Sequence, residues 1–591
     1  MNITRTFDLL QRYQDKFLNK DDALAGKVNK EWVKYSSQDY IDNCNHISYG
    51  LLELGFEKGD KIATICNNRP EWNFLDLGMA QVGIIHLPIF TTLAADGYKE
   101  ILIHGEAKAI FVSDNSLYKK IKPVADSIEG INNVYTFDEV DGANNWKEVL
   151  ELGKANKDKW VEEVEKIKAG IDTKDPVTLI YTSGTTGNSK GVLLSHQNLT
   201  SNAIAASGVF NLKSNERYLS ILPICHVGER MAIYQTQYSG CSIYYAENLG
   251  TISADLLDVK PHGFGAVPRV LEKVYDKIID KGNKLTGIKK KLFFWALDLG
   301  LKYKLDGANG PWYEFQLMLA NKIIFSKWRA AMGGNVGAIG IGGAMLQSRL
   351  ERVFWAAGIK LLNMYGLTET SPIITINRQS GDDLRLGSVG AKIDGIEVKI
   401  AEDGEILCKG SNVMIGYYKD EEATKLAIDS DGWFHTGDIG VLDDGKYLRI
   451  TDRKKEIFKL SNGKYVSPQG VENLFKESVY IDQLMVIGEG EKFTSALISP
   501  NNLSIKEWCK EEGVEYTSLK ELISKGEVSE LFSGIVKEFN STLGKDEQVK
   551  RFRLVPEEWT PDTGEMSPTL KLKRRVLMEN YKAEIDEIFQ H

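Results

Sequence analysis

The chain has 591 residues, a formal net charge of −9 and 42% hydrophobic residues. This length exceeds the size at which one hydrophobic core usually stops growing, so we expect at least two domains. The negative net charge argues against a nucleic-acid-binding protein, because such proteins carry a basic surface that neutralises phosphates. Any anionic ligand must therefore be bound by local positive charge.

The N-terminal segment MNITRTFDLLQRYQDKF is amphipathic and charged, and it lacks the apolar centre of a signal peptide. The uncharged apolar run of residues 77–90 is too short to span a bilayer. The six cysteines form no Cys-x-x-Cys pair, and the eight histidines lack the spacing of a structural metal site. These features predict a reduced, cytoplasmic protein that is attached at most to the inner face of a membrane.

Up to about residue 386, short β-rich runs alternate with helical stretches; the runs include KIATICN, DPVTLIYTS, CSIYYAE, VGAIGIGG and KLLNMYG. This alternation predicts an α/β fold with layered α/β subdomains and buried sheets. From Gly387 onward the pattern changes to consecutive antiparallel strands, with Asp-Gly pairs at 403–404 and 444–445 as hairpin turns. We expect a β-rich subdomain in this region.

The α/β alternation resumes, with many charges, after the charged stretch 452–456. We place a domain boundary there. The sequence thus predicts a large N-terminal domain, residues 1–451, and a smaller α+β C-terminal domain, residues 452–591.

One loop is a candidate phosphate-binding site: YTSGTTGNSKGV, residues 181–192, directly follows a strand-like run. Its glycines allow close approach of backbone N–H groups, its hydroxyls donate hydrogen bonds and Lys190 supplies charge. Lys190 lies between Ser189 and Gly191, so the loop lacks the Walker A register, and it also lacks the Gly-x-Gly-x-x-Gly spacing of dinucleotide-binding loops. A solvated Ser/Thr/Gly turn is the alternative interpretation.

Five motifs, in this order, resemble those of the adenylate-forming (AMP-binding) superfamily, which includes acyl-CoA synthetases, luciferases and the adenylation domains of peptide synthetases. They are YTSGTTGNSKGV, GGAML, NMYGLTETSP, GWFHTGDIG and DRKKEIFKLSNGKYVSP. The resemblance implies a large AMP-binding domain and a small, mobile C-terminal domain that rotates about a hinge near Lys455.

Adenylate formation activates a carboxylate by attaching AMP to it and releasing pyrophosphate. The site must hold an anionic triphosphate and stabilise the charge that develops at the α-phosphorus, which needs cations and dipoles rather than a covalent nucleophile. We find no nucleophile elbow, because the Gly-x-Ser-x-Gly match in the sequence, GNSKG at residues 187–191, lies within the candidate phosphate loop. Cys225 beside His226 offers a Cys/His nucleophile, but adjacent side chains point differently on an extended backbone. The resemblance instead places His226 by the acyl carboxylate.

The resemblance also implies a role for each matching residue. Tyr365 stacks on adenine, Asp438 binds the ribose hydroxyls, Thr368 touches the α-phosphate, and Glu369 and Thr182 ligate Mg²⁺. The residues that it implies for binding the nucleotide are Thr182, Ser183, Gly184, Thr185, Thr186, Gly187, Lys190, Gly342, Gly343, Ala344, Asn363, Tyr365, Gly366, Asp438 and Arg453.

The catalytic lysine is less direct to assign. Many family members carry a Gly-Lys pair near the C-terminus, whereas this chain has GEMSPTLKLKRRVL. Alignment on the following basic residues puts Lys571 in the catalytic place, with Leu570 where glycine is common. Lys573 is the alternative, and a solvated basic face near a terminus is the other interpretation.

Four stretches resemble long-chain fatty acyl-CoA synthetases: RPEWNFLDLGMAQVGIIHLPIF, LPICHVGERMAIY, KPHGFGAVPRVLEKVYDKI and KKKLFFWALDLGLKYK. The implied function is activation of a long-chain fatty acid by ATP, with Mg²⁺, and transfer of the acyl group to CoA. A medium-chain or aryl-acid CoA ligase, and a non-catalytic nucleotide or acyl-binding protein, are the alternatives. Some long-chain relatives carry a tunnel-gating tryptophan after the motif histidine, where this chain has Glu229 and Arg230.

The stretch KKKLFFWALDLGLKYK also has the composition of a helix on a membrane surface, with lysines flanking apolar residues. An ordinary packed helix with lysine flanks is the alternative. The sequence therefore leaves a peripheral membrane contact open. It also leaves open whether the protein is a homodimer.

Overall fold

The computed structural model describes residues 3–131, 133–182, 189–248, 250–561, 563–567 and 571–590. The strands are β1 (Leu24–Val28), β2 (Glu31–Tyr35), β3 (Lys61–Ile65), β4 (Ile85–Pro88), β5 (Ala107–Val112), β6 (Asn133–Thr136), β7 (Asn144–Asn145), β8 (Pro176–Thr182), β9 (Lys190–Ser195), β10 (Arg217–Ser220), β11 (Ser242–Tyr245), β12 (Gly263–Ala266), β13 (Ala338–Ile341), β14 (Lys360–Gly366), β15 (Ile373–Ile376), β16 (Ala391–Lys392), β17 (Ile396–Ile400), β18 (Glu405–Gly410), β19 (Gly416–Tyr417), β20 (Phe434–Asp443), β21 (Tyr447–Arg453), β22 (Phe458–Lys459), β23 (Tyr465–Val466), β24 (Ile481–Ile487), β25 (Ser495–Pro500) and β26 (Arg551–Leu554).

The α-helices are α1 (Asp8–Lys16), α2 (Ser37–Glu53), α3 (Glu71–Gln81), α4 (Ala95–His104), α5 (Asn115–Asp126), α6 (Trp146–Ala155), α7 (Lys157–Ala169), α8 (His196–Phe210), α9 (Val227–Ser239), α10 (Ile252–Val259), α11 (Pro268–Asn283), α12 (Gly287–Leu301), α13 (Pro311–Ala320), α14 (Ser326–Ala331), α15 (Ser348–Ala356), α16 (Glu421–Ala427), α17 (Pro468–Phe475), α18 (Asn502–Glu512), α19 (Leu519–Leu522), α20 (Gly526–Asn540), α21 (Arg574–Asn580) and α22 (Lys582–Phe589). Shorter 3₁₀ or π segments cover Leu305–Gly307, Asn321–Phe325 and Thr368–Thr370.

Two large sheets form the N-terminal region. One has eight strands in the order β19-β9-β8-β4-β3-β5-β6-β7, and the other has nine in the order β16-β15-β14-β13-β12-β10-β11-β1-β2. The pairings from β4 through β3 and β5 to β6 are parallel, and every residue of β4 is buried. A parallel strand that is covered on both faces is mostly apolar, which explains the hydrophobic runs in the sequence; His86 in β4 is a buried exception.

Helix α3 is buried along its whole length. A helix that is enclosed on all sides must carry apolar residues all round or polar residues with partners. Its polar side chains follow this rule, because Asn73 donates to the hydroxyl of Tyr245 at 2.7 Å and Asp76 bonds to His86 at 2.7 Å.

A four-stranded antiparallel sheet, β17-β18-β20-β21, forms the predicted β-rich region. At the turn between β20 and β21, Asp444 and Gly445 have φ of 54° and 67°. Asp-Gly pairs suit this turn because both central residues of a type I′ hairpin need positive φ. Strand β21 continues to Arg453, so Lys454 and Lys455 are the first residues after the sheet.

The C-terminal region has its own sheets, β22-β23 and β24-β25-β26, with α17 to α22 around them. Phe475, Ile498 and Phe532 belong to a hydrophobic cluster that lies entirely within residues 458–554. The predicted α/β fold, with a large N-terminal and a smaller C-terminal domain, is confirmed.

Candidate active site

The carboxyl ends of two neighbouring strands carry the second and third motifs. Strands β13 and β14 pair in parallel, with Ile341 opposite Asn363. Residues 342–344 follow β13, and the Thr368–Thr370 turn follows β14. Ligands of open α/β sheets bind at the carboxyl ends of strands, so this edge is the expected position for a nucleotide.

The phosphate-loop motif lies at the junction of β8 and β9. Thr182, the last residue of β8, pairs with Lys190, the first residue of β9. The predicted phosphate ligands Ser183, Gly184, Thr185, Thr186 and Gly187 lie outside the described residues.

Three predicted nucleotide ligands form one hydrogen-bonded cluster. The Tyr365 hydroxyl donates to Oδ2 of Asp438 at 2.8 Å, and Nε of Arg453 donates to Oδ1 at 3.1 Å. Asp438 and Arg453 face each other because β20 and β21 pair in that register. Burial and the charge of Asp438 both raise the pKa of Tyr365, so its hydroxyl stays a donor at neutral pH. The two bonds fix the Asp438 carboxylate in place.

A second cluster surrounds Glu369. The Tyr417 hydroxyl donates to Oε1 of Glu369 at 2.8 Å, and the Lys190 ammonium lies 4.5 Å from the centre of the Tyr417 ring. The contact forms because β19 pairs with β9, which places Tyr417 opposite Val192. Lys190 and Glu369, which are 179 positions apart in sequence, are thus linked through one tyrosine.

Sequence reasoning missed Tyr417. It lies in Gly-Tyr-Tyr, residues 416–418, between two of the recognised motifs. A tyrosine in a two-residue strand ordinarily packs as a hydrophobic residue. Only the non-local pairing with the strand of the phosphate loop gives it a functional position.

Lys571 extends from the C-terminal domain toward both clusters. Its backbone N–H donates to Oγ of Ser567 at 3.0 Å, and the Ser567 N–H donates to the Lys571 carbonyl oxygen at 2.8 Å. Lys571 is accessible to solvent, yet protein surrounds it closely enough that burial, together with Arg453, lowers the pKa of its ammonium. Asp438 and Glu369 act in the opposite direction. The ammonium group is therefore within electrostatic range of both clusters.

Lys573, the alternative catalytic lysine, has a different environment. It is the residue before α21, and its backbone N–H donates to the carbonyl oxygen of Glu565 at 2.8 Å. Lys571, by contrast, is within electrostatic range of the residues in both clusters. This placement favours Lys571.

His226 lies at the start of α9. Its Nδ1 accepts a hydrogen bond from the Gly228 N–H at 3.1 Å, so the neutral ring carries its proton on Nε2. Burial, with the positive charge of Lys571, lowers the pKa of His226 to about 4. The thiol of Cys225 is buried, and burial raises its pKa. The Cys/His nucleophile is therefore disfavoured, because it needs a thiolate.

The remaining predicted adenine ligands lie in or directly after β13 and β14. Gly343 has φ of 86°, a left-handed conformation that suits glycine, and it lies with Gly342 and Ala344 after β13. A Cβ at Gly366 would lie 1.7 Å from the carbonyl oxygen of Pro372, so only glycine fits there. Asn363 donates to Glu351 at 2.8 Å and thereby ties β14 to α15.

Glu229 and Arg230 occupy the positions where a gating tryptophan was considered, and both are fully buried. Arg230 donates to Thr178 at 2.5 Å and also pairs with Asp76. Burial raises the pKa of Glu229 to about 8, although its carboxyl group accepts hydrogen bonds from the side chains of Ser220 and Tyr218, the latter at 3.4 Å. These residues join α9 to α3 and β8 in the core.

Comparison with known proteins is consistent with this geometry. Residues 11–418 match the family described as AMP-binding enzyme, and residues 455–591 match its C-terminal domain. The chain belongs to the AMP-binding enzyme family. The CoA ligases of this family form an acyl-adenylate and then transfer the acyl group to CoA.

Several curated relatives in this family are similar over nearly the whole chain. The long-chain-fatty-acid–CoA ligase FadD15 of Mycobacterium tuberculosis is 31% identical over 568 residues, which is 95% of this chain and 93% of the relative. The long-chain-fatty-acid–CoA ligase ACSBG2 of Xenopus laevis is 31% identical, over 96% of this chain and 81% of the relative.

Solved structures of adenylate-forming enzymes share the fold. The anthranilate CoA ligase AuaEII superposes with a TM-score of 0.73 at 17% identity and covers 98% of both chains. The adenylation domain of a carboxylate reductase from Mycobacterium chelonae gives a TM-score of 0.75 at 18% identity, over 99% of this chain and 91% of that one.

Proposed function

We propose that the protein is an ATP-dependent long-chain fatty acid:CoA ligase. It converts a long-chain fatty acid and ATP to acyl-AMP and pyrophosphate, and then transfers the acyl group to CoA. The observation that carries this proposal is that Lys571 of the C-terminal region lies within electrostatic range of Glu369 and Asp438, two residues of the motifs of an AMP-binding enzyme. The relatives named long-chain-fatty-acid–CoA ligases support the choice of substrate.

In this reaction the large domain binds the nucleotide. Tyr365 stacks on adenine, the fixed carboxylate of Asp438 accepts from the ribose hydroxyls, and Arg453 holds that carboxylate. Gly342, Gly343, Ala344, Asn363 and Gly366 shape the adenine pocket. Lys190, with the loop residues 182–187, binds the two phosphates that leave as pyrophosphate.

Magnesium fits the donors at this site. Mg²⁺ usually binds through one or two carboxylates together with phosphate oxygens of the substrate. Glu369 supplies one carboxylate and Thr182 a hydroxyl, and the described part of the chain contains no group of three or more potential metal-ligating side chains. Glu369 would hold the ion, which neutralises triphosphate charge when bound.

Three residues act at the reacting atoms. Lys571 places its ammonium at the α-phosphate, where negative charge develops, and Thr368 donates there from its hydroxyl. His226 is neutral above pH 4 to 5 because its pKa is about 4, so it donates from Nε2 to the fatty acid carboxylate without adding a charge. This arrangement aligns the two anions for attack.

The two-step reaction requires two domain orientations. We infer a large domain of residues 1–451 and a mobile domain of residues 452–591, with the hinge near Lys455, directly after β21. Proline at position 455 would fix φ near −65° and restrict Lys454 as well. Thioester formation from supplied acyl-AMP should then be impaired more than adenylation.

Product analysis tests the reaction type. With a long-chain fatty acid and ATP, nucleotide chromatography should show AMP, with an equal amount of pyrophosphate; ADP and phosphate would rule out the assignment.

A second experiment tests the substrate class. Pyrophosphate release, measured across long-chain, medium-chain and aryl acids with and without CoA, separates the long-chain ligase from its superfamily alternatives. A non-catalytic binding protein would release none with any acid.

The helix proposed for membrane contact is packed in the fold. The stretch KKKLFFWALDLGLKYK forms most of α12, in which Phe293 and Leu297 are buried, and Trp295 donates to Gln316 at 3.4 Å. None of the helices described for this chain has the length and apolar character needed to cross a bilayer. The residues first considered for the membrane thus serve the core.

The apolar surface next to it supports a peripheral contact instead. Trp312 and Met318 of α13 are 71% and 58% exposed, and the rings of Trp312 and Phe315 stack with their centres 5.7 Å apart. Residues 284–331 contain nine Lys or Arg and three Asp or Glu, in a chain that is negative overall. We infer that α13 touches an anionic lipid surface. Trp312→Ala should then reduce sedimentation with anionic vesicles, and equal sedimentation would exclude this face.

A further inference from the structure

A buried ion pair joins the two domains beside the candidate site. Arg269, on α11, donates from both terminal nitrogens to the carboxylate of Asp482 in β24, at 2.6 and 2.7 Å. The two side chains are only 8% and 11% exposed. A two-pronged contact of this kind fixes orientation as well as distance. Removing one partner leaves the other charge buried and unpaired, so the pair resists separation.

A second contact holds the same segment of the C-terminal domain. The carboxylate of Glu477 accepts from the backbone N–H groups of Ser348 at 2.8 Å and Arg349 at 3.3 Å, the first residues of α15. These N–H groups have no partner within the helix, and the positive end of the helix favours a carboxylate. Because α15 follows the adenine motif almost directly, residues 477–482 are held against the nucleotide side of the large domain.

This domain orientation is also the one in which Lys571 lies among the charges of Asp438, Arg453 and Glu369. The ion pairs described for Arg269 are with Asp482, Glu272 and Glu558. None of these three is a proposed substrate-binding residue. The contacts of Arg269 therefore act on the position of the C-terminal domain.

We propose that Arg269 is a positioning residue for the first half-reaction. Through Asp482 it holds the C-terminal domain in the orientation that delivers Lys571, and the pair must separate before the domain rotates for CoA transfer. The inference rests on the proposed ligase function. If the C-terminal domain exchanges between two orientations, loss of a contact that is made in only one of them shifts the population toward the other.

The test measures the two half-reactions of Arg269→Met separately. Single-turnover formation of acyl-AMP should slow by about tenfold or more, because the unpaired Asp482 destabilises the adenylating orientation. Thioester formation from supplied acyl-AMP and CoA should not slow, which also shows that the variant is folded. Arg269→Lys keeps the charge without the two-pronged geometry, and it should recover part of the adenylation rate.

The chain offers a matched control on the same helix. Lys273 pairs with Glu558 at 3.0 Å, but both side chains are 57% exposed. An exposed pair is worth little, so Lys273→Met should leave both rates within about twofold of the parent. Asp482→Asn combined with Arg269→Met should be no slower than Arg269→Met alone, since both changes remove one interaction.

Amide hydrogen exchange gives a readout that is independent of catalysis. The peptide containing Ser348 and Arg349 should exchange faster in Arg269→Met than in the parent, because loosening of the domain removes the Glu477 contact. Unchanged exchange together with an unchanged adenylation rate would overturn the proposal, as would equal slowing of both half-reactions. If the parent forms no acyl-AMP, the ligase assignment fails, and the exchange result alone decides whether Arg269 holds the domains together.

Discussion

The two halves of the candidate site are held in different ways. Asp438 of the large domain is fixed by Tyr365 and by Arg453, the last residue of β21, and Glu369 is fixed by Tyr417, all through side-chain hydrogen bonds. For the lysine from the C-terminal domain, the hydrogen bonds described are made by its backbone, which donates to the Ser567 hydroxyl and accepts from the Ser567 N–H. The nucleotide half is therefore preorganised, whereas the position of the cation depends on how the domains are oriented.

The largest expected effect comes from a substitution in the large domain. Glu369→Ala removes the carboxylate proposed to hold Mg²⁺, and loss of metal-based charge neutralisation should slow acyl-AMP formation by about 10³-fold or more, equivalent to several kcal/mol. The measurement is single-turnover adenylation over a range of Mg²⁺ concentrations. Glu422→Ala, on the exposed surface of α16, is the matched control and should leave the rate unchanged. A parent-like rate of Glu369→Ala at limiting Mg²⁺ would remove Glu369 from the site.

The second prediction concerns Lys571, the part of the site that the C-terminal domain supplies. Lys571→Ala should slow adenylation by about 10²- to 10³-fold, because a preorganised cation no longer meets the developing charge. Thioester formation from supplied acyl-AMP should stay near the parent rate. Lys573→Ala is the control, and it should affect neither step. If Lys573→Ala gave the adenylation defect, or Lys571→Ala impaired both steps equally, the assignment of the lysine would be wrong.

The pH dependence of adenylation is a further test of the role of Lys571. Burial, with Arg453, lowers the pKa of Lys571 below its ordinary value of 10.5. The active form is the protonated one, so the Lys571 contribution is present below the folded pKa and is lost as pH rises through it. Adenylation should therefore decline at a lower pH than an ordinary lysine would give. Lys571→Arg should shift this decline to higher pH, since arginine stays charged; an unshifted decline would assign it to another group.

Much of the fold could be predicted because its signals are local. The Asp444-Gly445 turn and the alternating strands around it are encoded within a few residues, and so are the motifs that contain Tyr365 and Asp438. The hairpin of β1 and β2 was missed. Its turn has positive φ at Asn29 and Lys30, which is not a common turn pair, and most of β2 is exposed.

The contacts that join distant segments could not be predicted in this way. Arg269 and Asp482 are 213 positions apart, and nothing in either local sequence indicates the pairing. Tyr417 likewise reaches Glu369 only because β19 adds to the edge of the eight-stranded sheet. Motifs report which groups bind the nucleotide, whereas the residues that orient those groups depend on tertiary pairing.

Tyr417→Phe should give the smallest effect. It tests whether the hydrogen bond from Tyr417 holds Glu369 in position before the substrate binds. The change removes one hydroxyl and keeps the ring beneath Lys190, so the packing and the cation–π contact at 4.5 Å remain. A hydrogen bond to a charged group contributes roughly 1.5–3 kcal/mol, but bound Mg²⁺ can orient the carboxylate in its place. We therefore expect a rise of about three- to tenfold in the Mg²⁺ concentration needed for half-maximal adenylation, with little change at saturating Mg²⁺. Tyr418→Phe, whose hydroxyl donates to Glu106 at 2.6 Å rather than to Glu369, is the neighbouring control. If both variants shift the Mg²⁺ requirement equally, the hydroxyl of Tyr417 does not position Glu369, and the metal ligand is ordered by the substrate instead of by the fold.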